Sequence, residues 1–382
     1  MTKIYLDNNA TTPLAPTVAA KITEALGFWA NPSSNNENAK LAASEIAEAR
    51  RNLAKLFNTR PDSVIFTSGG TESNNWIIHS AISRAKNRIS AAKKPHVITS
   101  CIEHPSILEP LKVREENGEI DVTYIAINPQ TGQISPSTVL LAVRPETCLV
   151  TIMLANNETG VIQPIREIFR EIRQKSIILH SDVAQGAGKL SIDLADLQAD
   201  AITVVGHKFY GPRSGALVLG PEFESDLEPM IYGGGQEMGR RSGTENTPMI
   251  VGLGEAARIF LADGQQIENH LREIRDYFEQ QLKIHLPTAA HLVHFQQSPR
   301  LPNTSSVAFF NYSPHSCDLV ERAQTFSAST CAACHKNECS PVLIACGLNF
   351  ATASKTVRFS FGRQTKKSEI DTVIQELVQL CM

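Results

Sequence analysis

Lys208 lies where a purely structural lysine is hardest to explain. The apolar run from Ala201 to Val205 predicts a buried strand, and Lys208 follows it almost at once, ahead of the turn residues Gly211 and Pro212. Burying an unpaired ammonium is costly, whereas a desolvated lysine becomes a neutral amine that can attack an aldehyde. Pyridoxal phosphate (PLP) is the common aldehyde cofactor. The alternative is a lysine that reaches from a strand end to solvent. The choice between the two interpretations depends on the residues found elsewhere in the chain.

A second motif suits the phosphate of such a cofactor. Ser68-Gly69-Gly70-Thr71 lies where a predicted strand turns into a helix. Gly70 lets the backbone approach a ligand, and the amides of the helix start with the Thr71 hydroxyl form an anion site. The loop has neither the lysine of a P-loop nor the glycine spacing of a dinucleotide site. A capped helix at a tight turn is the alternative.

Four further polar residues follow other predicted strands. Asp182 is placed to pair with a pyridine nitrogen, and Gln185 to donate to a ring oxygen. His104 can stack on a flat ring and move protons, and Asn157 can hydrogen-bond to a ring oxygen. Each has an ordinary alternative: a helix cap, a half-buried histidine or an asparagine turn. Because open α/β sheets bind ligands at the carboxyl ends of their strands, we expect one shared crevice.

The cysteines carry a second chemistry. Cys331, Cys334 and Cys339 lie close together, with His335 among them, in a stretch of small residues that predicts a loop. An exposed thiol beside a histidine can be a reactive thiolate. Zinc is the competing interpretation, but a second C-x-x-C pair is missing. We therefore expect no bound metal; incidental cysteines are the remaining alternative.

Bulk properties exclude several classes of protein. The chain has 382 residues, 42% hydrophobic, and a formal charge of −3. Nothing in it predicts nucleic-acid binding, and no apolar run is long enough to span a membrane. The predicted strand at Ile4-Tyr5-Leu6 leaves no room for a targeting peptide, so we expect a cytoplasmic protein.

Short apolar strands alternate with helical stretches through the first two thirds of the chain. This pattern predicts an α/β fold with a mainly parallel seven-stranded sheet flanked by helices, and Gly215–Leu219 as an edge strand. We expect a large domain over residues 14–255. A smaller α+β domain, formed by residues 1–13 and 256–382, would carry the cysteine loop.

Assembled in order, these motifs resemble the cysteine desulfurases of the NifS/IscS type, class-V aminotransferase relatives with the PLP fold-type I, and the related selenocysteine lyases. The matching segments run nearly end to end: residues 6–13, 31–34, 67–75, 103–104, 156–160, 182–185, 206–212, 233–237, 241–246 and 357–363.

The resemblance implies a role for each candidate residue. Lys208 would hold PLP as an imine and move the substrate α-proton, and Cys334 would take the sulfur as a persulfide. Arg358, with Asn157, would bind the substrate, its guanidinium taking the carboxylate. The cofactor-binding residues would be Gly70, Thr71, His104, Asn157, Asp182, Gln185, His207, Lys208 and, from the partner subunit of a homodimer, Thr244.

The implied reaction converts L-cysteine to L-alanine and a persulfide. The persulfide must then pass to a sulfur-acceptor protein or scaffold, as in iron–sulfur cluster assembly. L-selenocysteine is the alternative substrate. A PLP aminotransferase or β-lyase would not need Cys334, and a zinc-stabilised scaffold would bind no PLP.

Several positions depart from the family pattern. Val205 replaces a phosphate-binding serine, which removes one hydrogen bond to the cofactor, and selenocysteine lyases tend to have valine there. Asn36 stands where desulfurases usually have histidine. Cys331 replaces a glycine, and Cys339 adds a further thiol, so either could exchange with a persulfide on Cys334.

Overall fold

The computed structural model describes residues 3–90, 92–173, 177–221, 223, 227–312, 315–330 and 339–381. The strands are β1 (Ile4–Tyr5), β2 (Val64–Thr67), β3 (His96–Ser100), β4 (Asp121–Ile125), β5 (Thr147–Thr151), β6 (Ile178–Asp182), β7 (Ala201–Val205), β8 (Gly215–Leu219), β9 (His291–Val293), β10 (Thr304–Phe309), β11 (Phe326–Ser327) and β12 (Thr356–Ser360). The helices are α1 (Pro16–Ala25), α2 (Glu37–Leu56), α3 (Gly70–Lys86), α4 (Pro105–Glu116), α5 (Pro136–Ala142), α6 (Ile165–Ile172), α7 (Leu194–Leu197), α8 (Thr247–His285), α9 (Ser316–Arg322), α10 (Pro341–Ala345), α11 (Phe350–Ala353) and α12 (Lys367–Cys381).

The predicted seven-stranded sheet is present, in the order β2-β8-β7-β6-β5-β3-β4. Neighbouring strands are parallel except at β8, which is antiparallel to both β2 and β7. The prediction that Gly215–Leu219 forms an edge strand is wrong. A short connection folds β8 back against β7, and the free side of β8 then pairs with β2. Because β8 is hydrogen-bonded on both sides, the edge strands of the sheet are β2 and β4.

Helices cover both faces of this sheet. Successive residues of a strand point to opposite faces, and here they enter different hydrophobic cores. Ile65 and Leu217 belong to the core that α3 and α4 share. Phe66 and Val218 belong to the core under α2, α6 and α8. The alternation explains why most strands of the sheet are buried along their whole length, as helix-covered parallel sheets require.

A second, smaller core is built on residues from both ends of the chain. Strands β9, β10 and β12 form an antiparallel sheet, and β1 pairs with β11 in a parallel one. Leu6 packs with an aromatic group in which the rings of Phe278 and Phe359 lie 4.8 Å apart. The predicted α/β class with a separate small α+β unit is therefore confirmed, whereas the exact domain boundaries stay a prediction.

Helix α8 joins the two cores. Its first half packs on α1 and α2, and its second half supplies Ile274 and Phe278 to the small core. The close approach to α2 depends on Gly254, because a Cβ there would lie 2.4 Å from the Cα of Ala49. None of the helices in the described part of the chain has the length and apolarity needed to cross a bilayer.

Candidate active site

A cavity of about 240 Å³ lies at the carboxyl ends of β5, β6 and β7. Parallel strands end at the same edge of a sheet, so the polar residues that follow them converge there. The predicted shared crevice is present. It is lined by eight of the predicted site residues, namely Gly70, Thr71, His104, Asn157, Asp182, Gln185, His207 and Lys208.

Lys208 is held by a tight 3₁₀ turn, Gly206–Lys208, that begins directly after β7. The turn needs glycine at its start, since a Cβ on Gly206 would lie 2.6 Å from the carbonyl oxygen of Pro212. Burial lowers the pKa of the Lys208 amine, and the nearby Asp182 carboxylate opposes that shift. A larger share of the amine is therefore neutral at a given pH than for an exposed lysine.

Asp182, the last residue of β6, is fixed through both carboxylate oxygens. Oδ1 accepts a hydrogen bond from the backbone N–H of Ala184 at 2.9 Å. Oδ2 accepts one from Nδ2 of Asn74 at 2.8 Å. A carboxylate oxygen can accept two hydrogen bonds, so Asp182 keeps capacity for a further donor in the cavity.

A chain of hydrogen bonds connects Asp182 to His104. Asn74 donates its second Nδ2 hydrogen to Oγ of Ser106 at 2.8 Å, and that oxygen lies 2.8 Å from Nδ1 of His104. The backbone N–H of Ser106 also donates to Nδ1, at 3.1 Å, so His104 caps the start of α4. With two donors directed at it, Nδ1 carries no proton, and the ring hydrogen is on Nε2.

Burial lowers the pKa of His104; the Asp182 carboxylate opposes that shift, and the positive charge of Lys208 adds to it. Accepting a proton at Nδ1 would also break the cap formed with Ser106. The neutral ring is therefore the stable form, and it presents an N–H donor at Nε2.

A buried carboxyl group lies behind His104. Glu103 accepts hydrogen bonds from Oγ of Ser100 at 2.5 Å and from the backbone N–H of Met153 at 3.0 Å. Burial raises the pKa of Glu103 to about 8, so the group is mainly protonated at neutral pH. It fixes the backbone of Met153, a residue of the cavity wall.

The start of α3 supplies the anion-binding end of the cavity. The first backbone N–H groups of a helix have no partner within the helix, and Gly70 and Thr71 place them at the wall. Gly70 is in close contact with Val205, because a Cβ at Gly70 would lie 2.6 Å from Cγ2 of that valine. His207 stands nearby, with Nδ1 3.1 Å from Oγ1 of Thr11.

Arg358 does not line the cavity but lies behind Asn157. Its Nη1 donates to the backbone oxygen of Asn157 at 3.0 Å, and its Nη2 donates to Asp7 at 2.5 Å. The side chain is buried. A substrate carboxylate would therefore bind Arg358 in competition with the Asp7 carboxylate, and this role of Arg358 stays a prediction.

Besides Arg358, one further predicted residue, Thr244, is not brought to the cavity. Thr244 is exposed and is absent from the lining of this chain's cavity. Cys334 lies outside the described residues, as do Cys331 and His335. Cys339 is half-buried, and burial raises the pKa of its thiol. Within the described ranges, no cluster of three His, Cys, Asp or Glu side chains is arranged to hold a metal ion.

The residues present fit PLP. The cavity offers a desolvated amine for the aldehyde, a carboxylate with spare acceptor capacity for the ring nitrogen, and a helix start for the phosphate. The amine and carboxylate come from adjacent strands, since Lys208 follows β7 and Asp182 ends β6.

Sequence reasoning missed three residues of the site. Asn74 lies three residues after Thr71 in the predicted helix but suggested no role of its own, and Ser106 is an ordinary residue of a helix start. Lys189 follows Gln185 by four residues, a spacing that places both side chains together in a helical turn. That spacing is the one signal that could have identified it.

Comparisons with known proteins agree with this geometry. A family model described as aminotransferase class-V matches residues 4–373. The chain is 43% identical to a selenocysteine lyase of Rattus norvegicus over 99% of its own length and 94% of the relative's. It is 35% identical to a cysteine desulfurase of Nostoc sp., covering 100% of this chain and 93% of that protein. A solved NifS-like protein superposes with a TM-score of 0.89 at 29% identity, covering 99% of both chains.

Proposed function

The chain belongs to the aminotransferase class-V family of PLP enzymes, and from that premise we propose that it is a cysteine desulfurase. L-Cysteine gives up its sulfur to the Cys334 thiol, which leaves L-alanine and a persulfide on the enzyme. The reaction balances without an oxidant: the carbon–sulfur bond breaks, a sulfur–sulfur bond forms, and hydrogen is conserved.

One observation carries the proposal: Lys208 and Asp182 face the same cavity from adjacent strands. When bound there, PLP supplies an electron sink that weakens the bonds around the substrate α-carbon. Lys208, partly neutral because it is buried, is the base that removes and returns the α-proton. Asp182 keeps a positive ring nitrogen paired.

The remaining residues bind and orient. Arg358 binds the substrate carboxylate in place of Asp7, whose carboxylate holds the guanidinium before substrate arrives. His104 presents its Nε2 hydrogen to the cavity, where it can donate to an electronegative atom of the substrate or cofactor. His104 does not have to change its protonation state to donate this hydrogen bond.

Selenocysteine is a second candidate substrate, and a specific observation favours it. The relative named selenocysteine lyase is more similar to this chain, at 43% identity, than the relative named cysteine desulfurase, at 35%. A carbon–selenium bond breaks more readily than a carbon–sulfur bond, so a selenocysteine lyase depends less on the Cys334 thiolate.

We also propose a homodimer. Leu26, Trp29 and Tyr232 are each more than half exposed, and such large apolar side chains favour burial in an interface. Thr244 is exposed as well, and in a dimer it would reach the partner's phosphate site. Size-exclusion chromatography with light scattering tests this; a monomer at working concentration would contradict it. A cytoplasmic location and a sulfur-acceptor protein remain part of the proposal.

The test of function uses the purified protein reconstituted with PLP. Alanine release is measured with L-cysteine and L-selenocysteine for the wild type, Cys334→Ala and, as the matched control, Cys339→Ala. A desulfurase loses its cysteine reaction in Cys334→Ala alone. Turnover of selenocysteine only would establish the lyase instead. Full cysteine activity in Cys334→Ala would refute the persulfide assignment.

A further inference from the structure

Lys189 is a buried lysine for which the proposed reaction has no use. Its side chain is 4% exposed. Nζ donates to Oε1 of Gln185 at 2.8 Å and to Oδ1 of Asn9 at 3.2 Å. Among the described residues, no carboxylate is one of the charged groups that act on it. Buried lysines normally have such a partner, so this one requires an explanation.

The number of hydrogen bonds matches an uncharged amine. A neutral amine has two hydrogens to donate, and Nζ of Lys189 has two acceptors; an ammonium group would leave a third hydrogen unsatisfied. The charged groups that act most strongly on it are Lys208, Arg358 and Arg363, all cations. Burial and these cations together lower the pKa of Lys189 well below its ordinary value.

The contact determines what Gln185 can offer to the cavity. Its Oε1 is occupied by Lys189, and one Nε2 hydrogen goes to the backbone oxygen of Asn9 at 2.9 Å. Gln185 is nevertheless part of the cavity wall, and the group it can offer to an anionic atom of a ligand there is its second N–H. Rotating the amide by half a turn would place its oxygen against the backbone carbonyl oxygen of Asn9 and would lose the hydrogen bond that Lys189 donates to Oε1.

Asn9 is fixed in the same way. Its Oδ1 accepts from both Lys189 and Asn303, the latter at 3.1 Å. Its Nδ2 donates to Oγ1 of Thr304 at 2.9 Å and to the backbone oxygen of Asn157 at 3.2 Å. Because every polar atom of this amide has its partner, Asn9 cannot rotate to compensate for a change at Lys189.

We propose that Lys189 is a positioning residue: an uncharged amine that locks the Gln185 amide so that it presents an N–H donor to an anionic oxygen of the bound ligand. The inference rests on the proposed function, in which that oxygen is the phenolate oxygen of the PLP ring. A donor stabilises the anionic oxygen and so lowers the pKa of that group. Lys189 itself touches neither cofactor nor substrate.

The test compares three variants with the wild-type holoenzyme. Lys189→Gln keeps an uncharged donor, Lys189→Arg keeps a donor with a permanent charge, and Lys189→Met keeps neither. Lys355→Met is the matched control, since Lys355 is a partly buried lysine that donates to the backbone oxygen of Phe310, away from the cavity. PLP affinity and the pH titration of the bound cofactor's visible absorption are measured for each.

We expect Lys189→Met to bind PLP about tenfold more weakly or worse, with the titration midpoint moved to higher pH. The PLP affinity of Lys189→Gln should remain within about threefold of the wild-type value, whereas Lys189→Arg should bind PLP as weakly as Lys189→Met. Rescue by arginine but not glutamine would overturn the proposal in favour of a charged lysine. A loss of thermal stability alone, with the titration unchanged, would make Lys189 merely structural.

The titration follows the cofactor and not cysteine turnover, so the two proposals can fail separately. A wild-type protein that binds PLP but releases no alanine contradicts the proposed function and leaves the comparison of variants valid. If Lys189→Met does not fold, the opposite responses expected of Lys189→Gln and Lys189→Arg still distinguish an uncharged Lys189 from a charged one.

Discussion

Replacing Gly70 by alanine would place a methyl group where Val205 already packs. The new Cβ would lie 2.6 Å from Cγ2 of Val205, and that methyl belongs to a buried strand residue with little room to move. In most helices the same change is favourable, because alanine loses less backbone entropy than glycine. The sign of the effect therefore depends on one contact.

The magnitude follows from two opposing contributions. Overpacking a buried site costs about 1–3 kcal/mol, and the gain in helix propensity at a helix start is below about 1 kcal/mol. We expect Gly70→Ala to destabilise the protein by about 1–2 kcal/mol. Val205→Ser removes the obstructing methyl group and costs about 1–2 kcal/mol in lost apolar burial.

The double variant tests the reasoning. Gly70→Ala with Val205→Ser should be no less stable than Val205→Ser alone, which corresponds to a coupling energy of about 1–2 kcal/mol. The serine hydroxyl also lies in the cavity wall, so PLP affinity of the double variant should exceed that of Gly70→Ala by about 5–30-fold. Urea unfolding of the apoprotein and PLP titration measure the two quantities. Additive effects of the two substitutions, or a stabilised Gly70→Ala, would refute the steric argument.

Three other predictions concern buried ionisable side chains. Burial raises the pKa of Glu103 to about 8, so the folded state keeps this proton at pH values where the unfolded state loses it, and the free energy of unfolding falls by up to about 1.4 kcal/mol per pH unit as pH rises from 4.5 to 8. Glu103→Gln should abolish this contribution to the pH dependence of urea midpoints, and an unchanged slope would contradict it. His180 has a pKa lowered to about 4, so its contribution is present above pH 6.5 and lost as pH falls toward 4; His180→Gln should flatten acid destabilisation in the same assay, whereas an equally steep loss would argue against it. Arg300 and Glu279 form a buried ion pair at 2.7 Å, so Arg300→Met should cost about 3–5 kcal/mol and adding Glu279→Gln should recover most of it; a second substitution without benefit would contradict the pairing.

The sheet and most of the cavity wall were predictable from local patterns. Most strands of the sheet are short apolar runs, and β2, β3, β5, β6 and β7 are followed within a few residues by polar side chains of the cavity wall or themselves end in one. Lys208 and Asp182 could be placed together because parallel strands share one carboxyl edge. That inference needs only the direction of the strands, not their order.

The order of the strands was not predictable in the same way. Gly215–Leu219 was expected at an edge, yet β8 lies between β2 and β7. Its apolar sequence suits an edge or an interior position equally well. The neighbours of a strand are the strands whose free backbone N–H and C=O groups are brought next to it. That placement depends on contacts between residues far apart in sequence.

Local sequence patterns were enough to identify the chemical groups that reach the cavity: an amine, a carboxylate, an imidazole and a helix start. How those groups are held depends on contacts between distant segments. Asn74 connects Asp182 to Ser106, and Lys189 occupies the oxygen of Gln185, through hydrogen bonds that join separate segments. The physical reason is range: periodicity reports the environment of a residue along its own strand or helix, whereas the orientation of a buried amide or imidazole depends on donors and acceptors brought to it by other parts of the chain.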